Sequence, residues 1–595
     1  MRSDKNLPKR SLRNKGCAVG LLLICAVIPA SARGRKKVPV SNGQLTSEMV
    51  RLIDQSAVHE RDVQKALEQR TPVVETYIQD FKPDLQLSAV PISDRYFLGR
   101  VDFGRVIQDN RYDEPASKKG VLKGSTMFVN GLTKAFKIEY VSQGFVQMLL
   151  LDSSRFDRQH YDFKFVRREF IGDIRTYLFD VIPKPGSGTG RFIGRVWIED
   201  GGGNIVRFSG TYTTAKGNDM YYHFDSWRTN VQPNLWLPTA VYAEEHGPGI
   251  VPDAASFFRA QTWIWGYSLK QPVSANDNET VKIDAVTDQS DSAADVSPLQ
   301  ASRMWADQAE TNILERLYQA GLLAAPSDFD KILETVANNL IVTNNVMLAE
   351  PIRCRVMLTT PLESLTIGNT IVLSKGLIDT LPKEEDLAAV ISFQLAHLVL
   401  GHKVDTEFAF PDNLMFQDQA TMRRIPLHHS DAENDAATKK ALELLKNSPY
   451  KDKLGNVGLY FEALQARAKA LPFLMQPEMG DPLFRTTADD QVWLSALMAG
   501  APKLDMAKLE QIPAFPLGSW LHINSWTDGV DMLKAHPVPV LSPGDKLPFE
   551  VTPVFFRLHA YDAGNKVPPA DASAPAPANS TAATAPSSPA PEQQN

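Results

Sequence analysis

The segment Ile391-Ser-Phe-Gln-Leu-Ala-His-Leu-Val-Leu-Gly-His402 predicts a buried helix, because apolar residues occupy most of its positions. Pro382 and the acids Glu384-Glu-Asp386 precede it. Both suit a helix first turn, since proline lacks only a donor that would be unpaired there and negative charge faces the positive end of the helix. Gly401 suits the end of the helix. The chain therefore has a strongly apolar helix with a clear start and end.

Length and composition indicate a soluble protein of several domains. The chain has 595 residues, of which 43% are hydrophobic and 22% charged. This length suggests roughly three or four domains of ordinary size. The formal net charge of -6 gives no reason to expect nucleic acid as a partner.

Residues 1–32 are expected to form a signal peptide. Basic residues open the chain, a short apolar core follows over 17–28, and Pro29-Ala-Ser-Ala32 supplies a cleavage site. The core is shorter than the ~20 residues of a membrane-spanning helix, so the mature chain is expected to have no membrane span, with an uncleaved anchor as the alternative. We predict export to a bacterial periplasm or outside the cell. Cys354 is then the only cysteine left, and no internal disulfide can form.

The character of the sequence then changes several times. Residues 33–85 are predicted as a helical lead-in, 86–285 as an antiparallel β domain, and 286–330 as a linker and helix. Residues 331–450 and 451–562 are predicted as helix-rich regions, and 563–595 as a disordered tail of Pro, Ala and Ser. The β prediction depends on short runs of Val, Ile, Phe, Tyr and Trp that are broken by turn-forming residues.

The predicted β domain resembles the half-barrel of bacterial lipoprotein-sorting and lipoprotein-carrier proteins. The resembling segments are Phe179-Asp-Val-Ile-Pro-Lys-Pro185, Gly194-Arg-Val-Trp-Ile198 and Leu235-Trp-Leu-Pro-Thr239. The resemblance covers about a third of the chain and implies a sheet curved around an apolar groove that holds acyl chains. The alternative is a plain antiparallel sheet packed on helices.

The region 331–450 resembles a zinc metallopeptidase family that includes the CAAX prenyl endopeptidase and BepA-like periplasmic proteases. Ile367-Gly-Asn-Thr-Ile-Val-Leu-Ser-Lys-Gly-Leu-Ile378 matches an edge strand and turn of that family, and Leu381-Pro-Lys-Glu-Glu-Asp-Leu-Ala-Ala-Val390 matches the start of its active-site helix. The resemblance implies a zincin-like domain, in which a helix with His-Glu-x-x-His supplies two zinc ligands and a general base.

This sequence departs from that family at the positions that carry the chemistry. Phe393 stands where a ligand is expected, Gln394 occupies the general-base position, and His397 is the ligand that is kept. The third ligand, a glutamate in the family, corresponds to Asp431, and the following aspartate is kept as Asp435. The resemblance therefore leaves His397 and Asp431 as metal candidates, no catalytic residue, and zinc that is weakly bound or absent.

Structural explanations exist for the same residues. His397 on an apolar helix could be a core histidine bonded to a backbone carbonyl, and Ser430 with Glu433 forms a capping-box pattern. Replacement ligands for a reworked site would be His402, His428 or His429.

The fold class predicted from the sequence is α+β: an antiparallel curved β-sheet domain followed by a mostly helical zincin-like domain. The predicted function is that of a pseudoprotease that binds peptides or partner proteins in the cell envelope, because a lost base alone typically lowers a rate by about two to four orders of magnitude. The alternatives are an active zinc metalloendopeptidase with a reworked site, and a lipid or lipoprotein carrier that acts through the β domain.

Overall fold

The computed structural model describes residues 45–84, 88–103, 108–111, 146–152, 156–188, 190–213, 222–245, 256–269, 298–406, 409, 425–477, 479–485, 492–505, 508, 511–518, 521–527, 529–532 and 551–561. The predicted signal peptide, the polar linker over 274–295 and the tail from 563 onward lie outside these residues. Within the described ranges, no helix combines the length and the apolar character that crossing a membrane requires.

The first part of the described chain forms one antiparallel sheet of ten strands with the spatial order β3-β2-β1-β10-β9-β8-β7-β6-β5-β4. The strands are β1 (Val73–Asp84), β2 (Ser88–Asp102), β3 (Gln108–Arg111), β4 (Tyr161–Ile171), β5 (Ile174–Pro183), β6 (Phe192–Glu199), β7 (Ile205–Tyr212), β8 (Tyr222–Gln232), β9 (Leu235–Glu245) and β10 (Phe257–Trp265). Strands that are neighbours in sequence pair with each other except β3 and β4, which form the two edges of the sheet, and β1 pairs with β10. The predicted antiparallel curved sheet is confirmed.

The sheet begins earlier than the sequence patterns indicated. Val73 starts β1, inside the segment 33–85 that was predicted as a helical lead-in. Pro72 cannot continue a helix, and the run Val73-Val-Glu-Thr-Tyr-Ile78 is rich in the β-branched and aromatic residues that favour strands. The helical part of the lead-in is α1 (Ser47–Glu68), whose first turn is capped by Thr46.

One face of the sheet, which we call the inner face, packs against α1. The helix contributes Met49, Leu52, Ile53, Ala57, Val63 and Leu67. The sheet contributes mostly aromatic side chains, including Phe97, Tyr177, Phe179, Phe192, Phe208, Tyr212, Tyr222 and Phe224. Burial of this apolar surface holds α1 to the sheet.

A buried ion pair crosses this apolar contact. Arg228 Nη2 in β8 donates to Glu60 Oε1 in α1 at 2.7 Å, and the two side chains are 1% and 3% exposed. Glu60 Oε1 also accepts from the Leu151 backbone N–H. The pair therefore fixes the position of α1 along the sheet.

We expect Glu60→Leu to destabilise the protein by about 3–5 kcal/mol, because the Arg228 charge would stay buried without its partner. The double variant Glu60→Leu/Arg228→Met removes both charges and is expected to recover most of this loss. Urea unfolding measures both. Asp54→Ala is the matched control on the same helix: its pair with Arg158 is exposed, so a much smaller loss than that of Glu60→Leu is expected. A double variant no more stable than the single one would contradict the prediction.

The second part of the described chain is mostly helical and carries two small sheets. Its helices are α2 (Pro298–Gln319), α3 (Asp328–Thr343), α4 (Lys375–Thr380), α5 (Glu384–Leu400), α6 (Asp431–Lys446), α7 (Leu454–Ala468) and α8 (Pro472–Met475). The strands β11 (Arg353–Met357), β12 (Glu363–Ile367), β13 (Thr370–Ser374) and β14 (Asp481–Pro482) form a sheet in the order β11-β13-β12-β14. The strands β15 (Leu521–Asn524), β16 (Gly529–Met532) and β17 (Val551–Thr552) form the other.

The helix α5 is the centre of this part, and its predicted acidic first turn and its end at Gly401 are confirmed. Pro382, which was expected in the first turn, lies before the N-cap residue Lys383 and outside the helix. The acids Glu384, Glu385 and Asp386 lie in its first turn, and Gly401 ends it with a φ of 73°. Nearly every residue from Glu385 to His397 is buried. The whole circumference of α5 is therefore covered by neighbouring elements, as its composition predicts.

Two carboxylates dock the helical part onto the opposite, outer face of the sheet. Glu75 in β1 accepts hydrogen bonds from the backbone N–H and the hydroxyl of Thr360, at 2.6 and 2.8 Å. Asp94 in β2 accepts from the backbone N–H groups of Phe473 and Leu474, at 3.1 and 2.9 Å. Each carboxylate thus fixes a loop or a helix start against one position of a strand.

Because the carboxyl group of Asp386 is buried, we expect the stability of the protein to depend on pH. Burial, together with the neighbouring Glu385, raises its pKa to about 7. The folded state therefore binds the carboxyl proton of Asp386 more tightly than the unfolded state does. The stability that this proton adds to the fold is complete below a pH of about 4 and is lost as the pH rises through about 7. The free energy of unfolding of Asp386→Asn, relative to the unsubstituted protein, is expected to rise by about 2–3 kcal/mol between about pH 5 and pH 8. Urea unfolding at both values measures this, and parallel pH profiles would contradict it.

Candidate functional site

The peptidase-like positions of α5 lie in the interior. Phe393, Gln394 and His397 are 2%, 0% and 0% exposed. Both polar ends of the Gln394 amide are used: its nitrogen donates to Ser364 Oγ at 2.8 Å, and its oxygen accepts from Thr366 Oγ1 at 2.6 Å. Gln394 therefore fastens α5 to β12. An amide cannot act as a general base near neutral pH.

His397 lies in a cluster of aromatic rings. Its ring stacks on that of His429 with the centroids 3.8 Å apart, and the edge of Phe393 packs against it with the centroids 5.1 Å apart. His402 Nδ1 lies 3.1 Å from His397 Nδ1. Burial, followed by the neighbouring His429, lowers the pKa of His397 to about 3, so its ring is neutral at neutral pH.

Asp481 holds His429 in place. The Nδ1 atom of His429 lies 2.8 Å from Asp481 Oδ2, and its backbone N–H donates to Asp481 Oδ1 at 2.7 Å. Burial raises the pKa of Asp481, but the hydrogen bonds and charge of His429 outweigh it and hold the pKa below its usual value. The pairing of Asp481 with Ser364 in the β12–β14 ladder brings this carboxylate to α5.

These contacts bring together only some of the residues singled out in the sequence. His397, His429 and Asp481 form a buried group whose potential ligand atoms lie within 4.8 Å of one another. Asp431 lies in the first turn of α6 with an exposed side chain, and His428 is also exposed. Metal binding by His397 with Asp431 stays a prediction. The capping box of Ser430 and Glu433 is present, as predicted.

Sequence reasoning did not single out Asp481. It is the first residue of the two-residue strand β14, and it belongs to no motif and to no spacing shared with His397 or His429. The sequence signals near the site were His397 and His402 and the pair His428-His429 before the predicted start of α6. That pair marked two possible ligands without deciding between them. The structure buries His429 and exposes His428.

A peptide does not reach this cluster in the described conformation. The side chains of Gln394, His397 and Asp481 are 0% exposed. At the adjacent edge of the sheet, Glu363 and Ser364 of β12 are paired with β14. A peptide that binds by adding a strand needs an unpaired edge, and at these two residues the chain itself occupies it.

A second group of polar atoms lies beneath α1, on the inner face. Ser226 is two positions after Phe224 in β8 and so faces the same side. Within the described part of the chain, Ser226 Oγ, Arg228 Nε and Glu60 Oε2 are buried without a hydrogen-bond partner. The Arg228 guanidinium lies 5.4 Å from the centre of the Phe208 ring. Arg228, Glu60 and Ser226 therefore form a polar spot on the apolar inner face.

Comparisons with known proteins give likenesses in structure only. No family model matches the chain, and no curated protein matches its sequence. A LolA superfamily protein from Nitrosomonas europaea is similar at 13% identity and a TM-score of 0.18, over 34% of this chain and 91% of that one. A DUF1329 family protein from Desulfovibrio piger is similar at 12% identity and a TM-score of 0.18, over 35% and 91%.

A domain assigned as an outer membrane lipoprotein-sorting protein from Vibrio parahaemolyticus is similar at 10% identity and a TM-score of 0.21, over 35% of this chain and 91% of that one. These likenesses cover about a third of the chain, as did the carrier resemblance in the sequence. At such TM-scores they carry no argument about the function of this chain.

We expect Gln394→Glu, the change that would restore a peptidase base, to destabilise the protein by about 2–4 kcal/mol, because it places a second buried carboxyl beside Asp481. The Gln394 nitrogen now lies 3.3 Å from Asp481 Oδ2. Urea unfolding at neutral pH with a chelator present measures the loss.

Gln394→Met is the matched control, since it removes the same amide without adding a charge. Its loss is expected to be about half as large or less, from unpaired hydroxyl groups on β12. A Gln394→Glu variant as stable as the unsubstituted protein would contradict this reading of the site.

Proposed function

We propose that the chain is an exported binding protein for ligands with acyl chains, and that the ligand enters between α1 and the inner face of the ten-stranded sheet. The main observation behind this proposal is the composition of the inner face. Aromatic side chains from strands across the sheet form it, and within the described residues α1 is the helix that contributes most of its cover. When a single helix moves away from such a face, less apolar area is exposed to water than when a layer of several packed helices moves, so the free-energy cost is smaller.

The polar spot of Arg228, Glu60 and Ser226 supports ligand binding over a purely structural core. A core that serves stability alone gains nothing from buried polar atoms without partners, and replacing a buried ion pair by apolar residues is often neutral or stabilising. A guanidinium and a hydroxyl beneath the helix would bind the carboxylate or ester oxygens at the head of an acyl ligand. The aromatic rings around them would contact the chain.

The expected export fits this ligand class. Acyl chains are insoluble in the aqueous space of a cell envelope, where a protein must shield them from water. The basic, apolar and small-residue pattern of residues 1–32 predicts delivery to that space. Free lipid and the acylated end of a lipoprotein share this chemistry, and the experiment distinguishes them.

The direct test is organic extraction of the purified chain, followed by mass spectrometry, and titration of the delipidated chain with a fluorescent fatty acid. Co-extracted fatty acid or phospholipid would identify free lipid as the ligand. Displacement of the probe by a diacylated lipopeptide, but not by its unacylated form, would identify lipoprotein. A chain that carries no acyl compound and does not bind the probe would overturn the proposal.

The geometry also offers a way to lock α1 in place. A Cβ atom at Gly203, in the turn between β6 and β7, would lie 3.2 Å from the Cβ of Gln55 in α1. This is close to the Cβ separation of about 3.8 Å in disulfides. Gly203 has a φ of 71°, so cysteine there costs about 1 kcal/mol of backbone strain.

We expect the oxidised Gln55→Cys/Gly203→Cys variant to lose at least about tenfold in probe affinity, a change of about 1.4 kcal/mol, because α1 can no longer leave the sheet. Reduction is expected to restore binding in the same sample. The single variant Gln55→Cys, treated with the same oxidant, is the control. Equal affinity in the oxidised and reduced forms would show that ligands do not enter beneath α1.

A further inference from the structure

The histidine cluster around α5 has a feature that its role in packing does not explain. Within the described residues, His429 Nε2 is buried without a hydrogen-bond partner. Buried polar atoms are nearly always paired in folded proteins. The ring that carries this atom stacks on that of His397.

Asp481 lies directly against His429. Nδ1 of His429 and Oδ2 of Asp481 are 2.8 Å apart, so an ion that displaces the proton between them would contact both atoms.

Two positions singled out by the peptidase resemblance do not join His397 here. Phe393 has no donor atom and packs against His397, and Asp431 has an exposed side chain. A different set is present: His397 from α5, His429 from the segment before α6, and Asp481 from β14, with donor atoms within 4.8 Å of one another.

We propose that His397, His429 and Asp481 bind a divalent transition-metal ion of the zinc type. Two imidazoles and one carboxylate are donors that Zn²⁺ and Co²⁺ accept and that Ca²⁺ and Mg²⁺ do not prefer. Gln394, at the peptidase base position, holds β12 instead. The ion therefore joins α5, the start of α6 and β14, and its role is structural. The acyl-ligand proposal concerns other residues and does not depend on it.

The test uses the full chain without a histidine tag, purified without chelator. We expect about one zinc ion per chain by elemental analysis. Removal of the ion is expected to lower the Tm by a few degrees, and added Zn²⁺ to restore it, because a ligand that binds only the folded state stabilises it. His429→Ala and Asp481→Asn are expected to lose the ion, while His428→Ala, which changes the exposed neighbour, keeps it.

If His429→Ala does not fold, titration of the stripped, unsubstituted chain with Co²⁺ decides the question. Visible absorption typical of cobalt with nitrogen ligands, at about one equivalent, would support the site. A stripped chain that takes up neither Zn²⁺ nor Co²⁺ and keeps its Tm would overturn the proposal, and so would zinc that His429→Ala retains.

Discussion

Both faces of the ten-stranded sheet are apolar, and both must be covered for the chain to fold. The inner face is covered by α1. The outer face is covered by the helical part and by the segment 551–561, where Phe556 packs on Trp227 and Trp263. The sheet therefore organises the described residues: the helical part has a fixed place because it covers a surface that water would otherwise contact.

Apolar contact alone does not set the position of the covering elements, because it has no direction. The buried carboxylates supply that direction. Glu75 and Asp94 accept backbone N–H groups of the helical part, and Glu244 accepts the backbone N–H of Ser525 at 3.1 Å. Each bond forms at one register only, so these residues determine where the helical part lies on the sheet.

The sequence predicted the elements better than it predicted their contacts. The helix α5 and the capping box of α6 follow from local rules about first turns and end glycines, and the structure has both. The start of the sheet at Val73 was missed, because the helical spacing of the preceding residues was extended past Pro72. Local patterns also could not separate His428 from His429, since both precede the same helix.

Asp481 could not be identified from sequence patterns, for a different reason. Its place beside His429 depends on a strand of two residues that pairs with β12, more than a hundred residues earlier in the chain. Such a pairing leaves no periodicity to detect. The region 451–562 was predicted as helix-rich, but it contains β14, β15, β16 and β17. The contacts of His397 with His429 and of His429 with Asp481 became visible only in the structure.

The short strand β14 has one more consequence, for solubility. Strand edges with unpaired backbone groups are templates on which a second molecule can add its own strand, and proteins commonly cover them. At Glu363 and Ser364, the cover among the described residues is β14, which Asp481 holds through its hydrogen bond with the backbone of His429. A protein that released this segment would keep its helices and its large sheet but would expose an unpaired edge of β12 on which a second molecule could add a strand. The two residues of β14 therefore help to prevent aggregation.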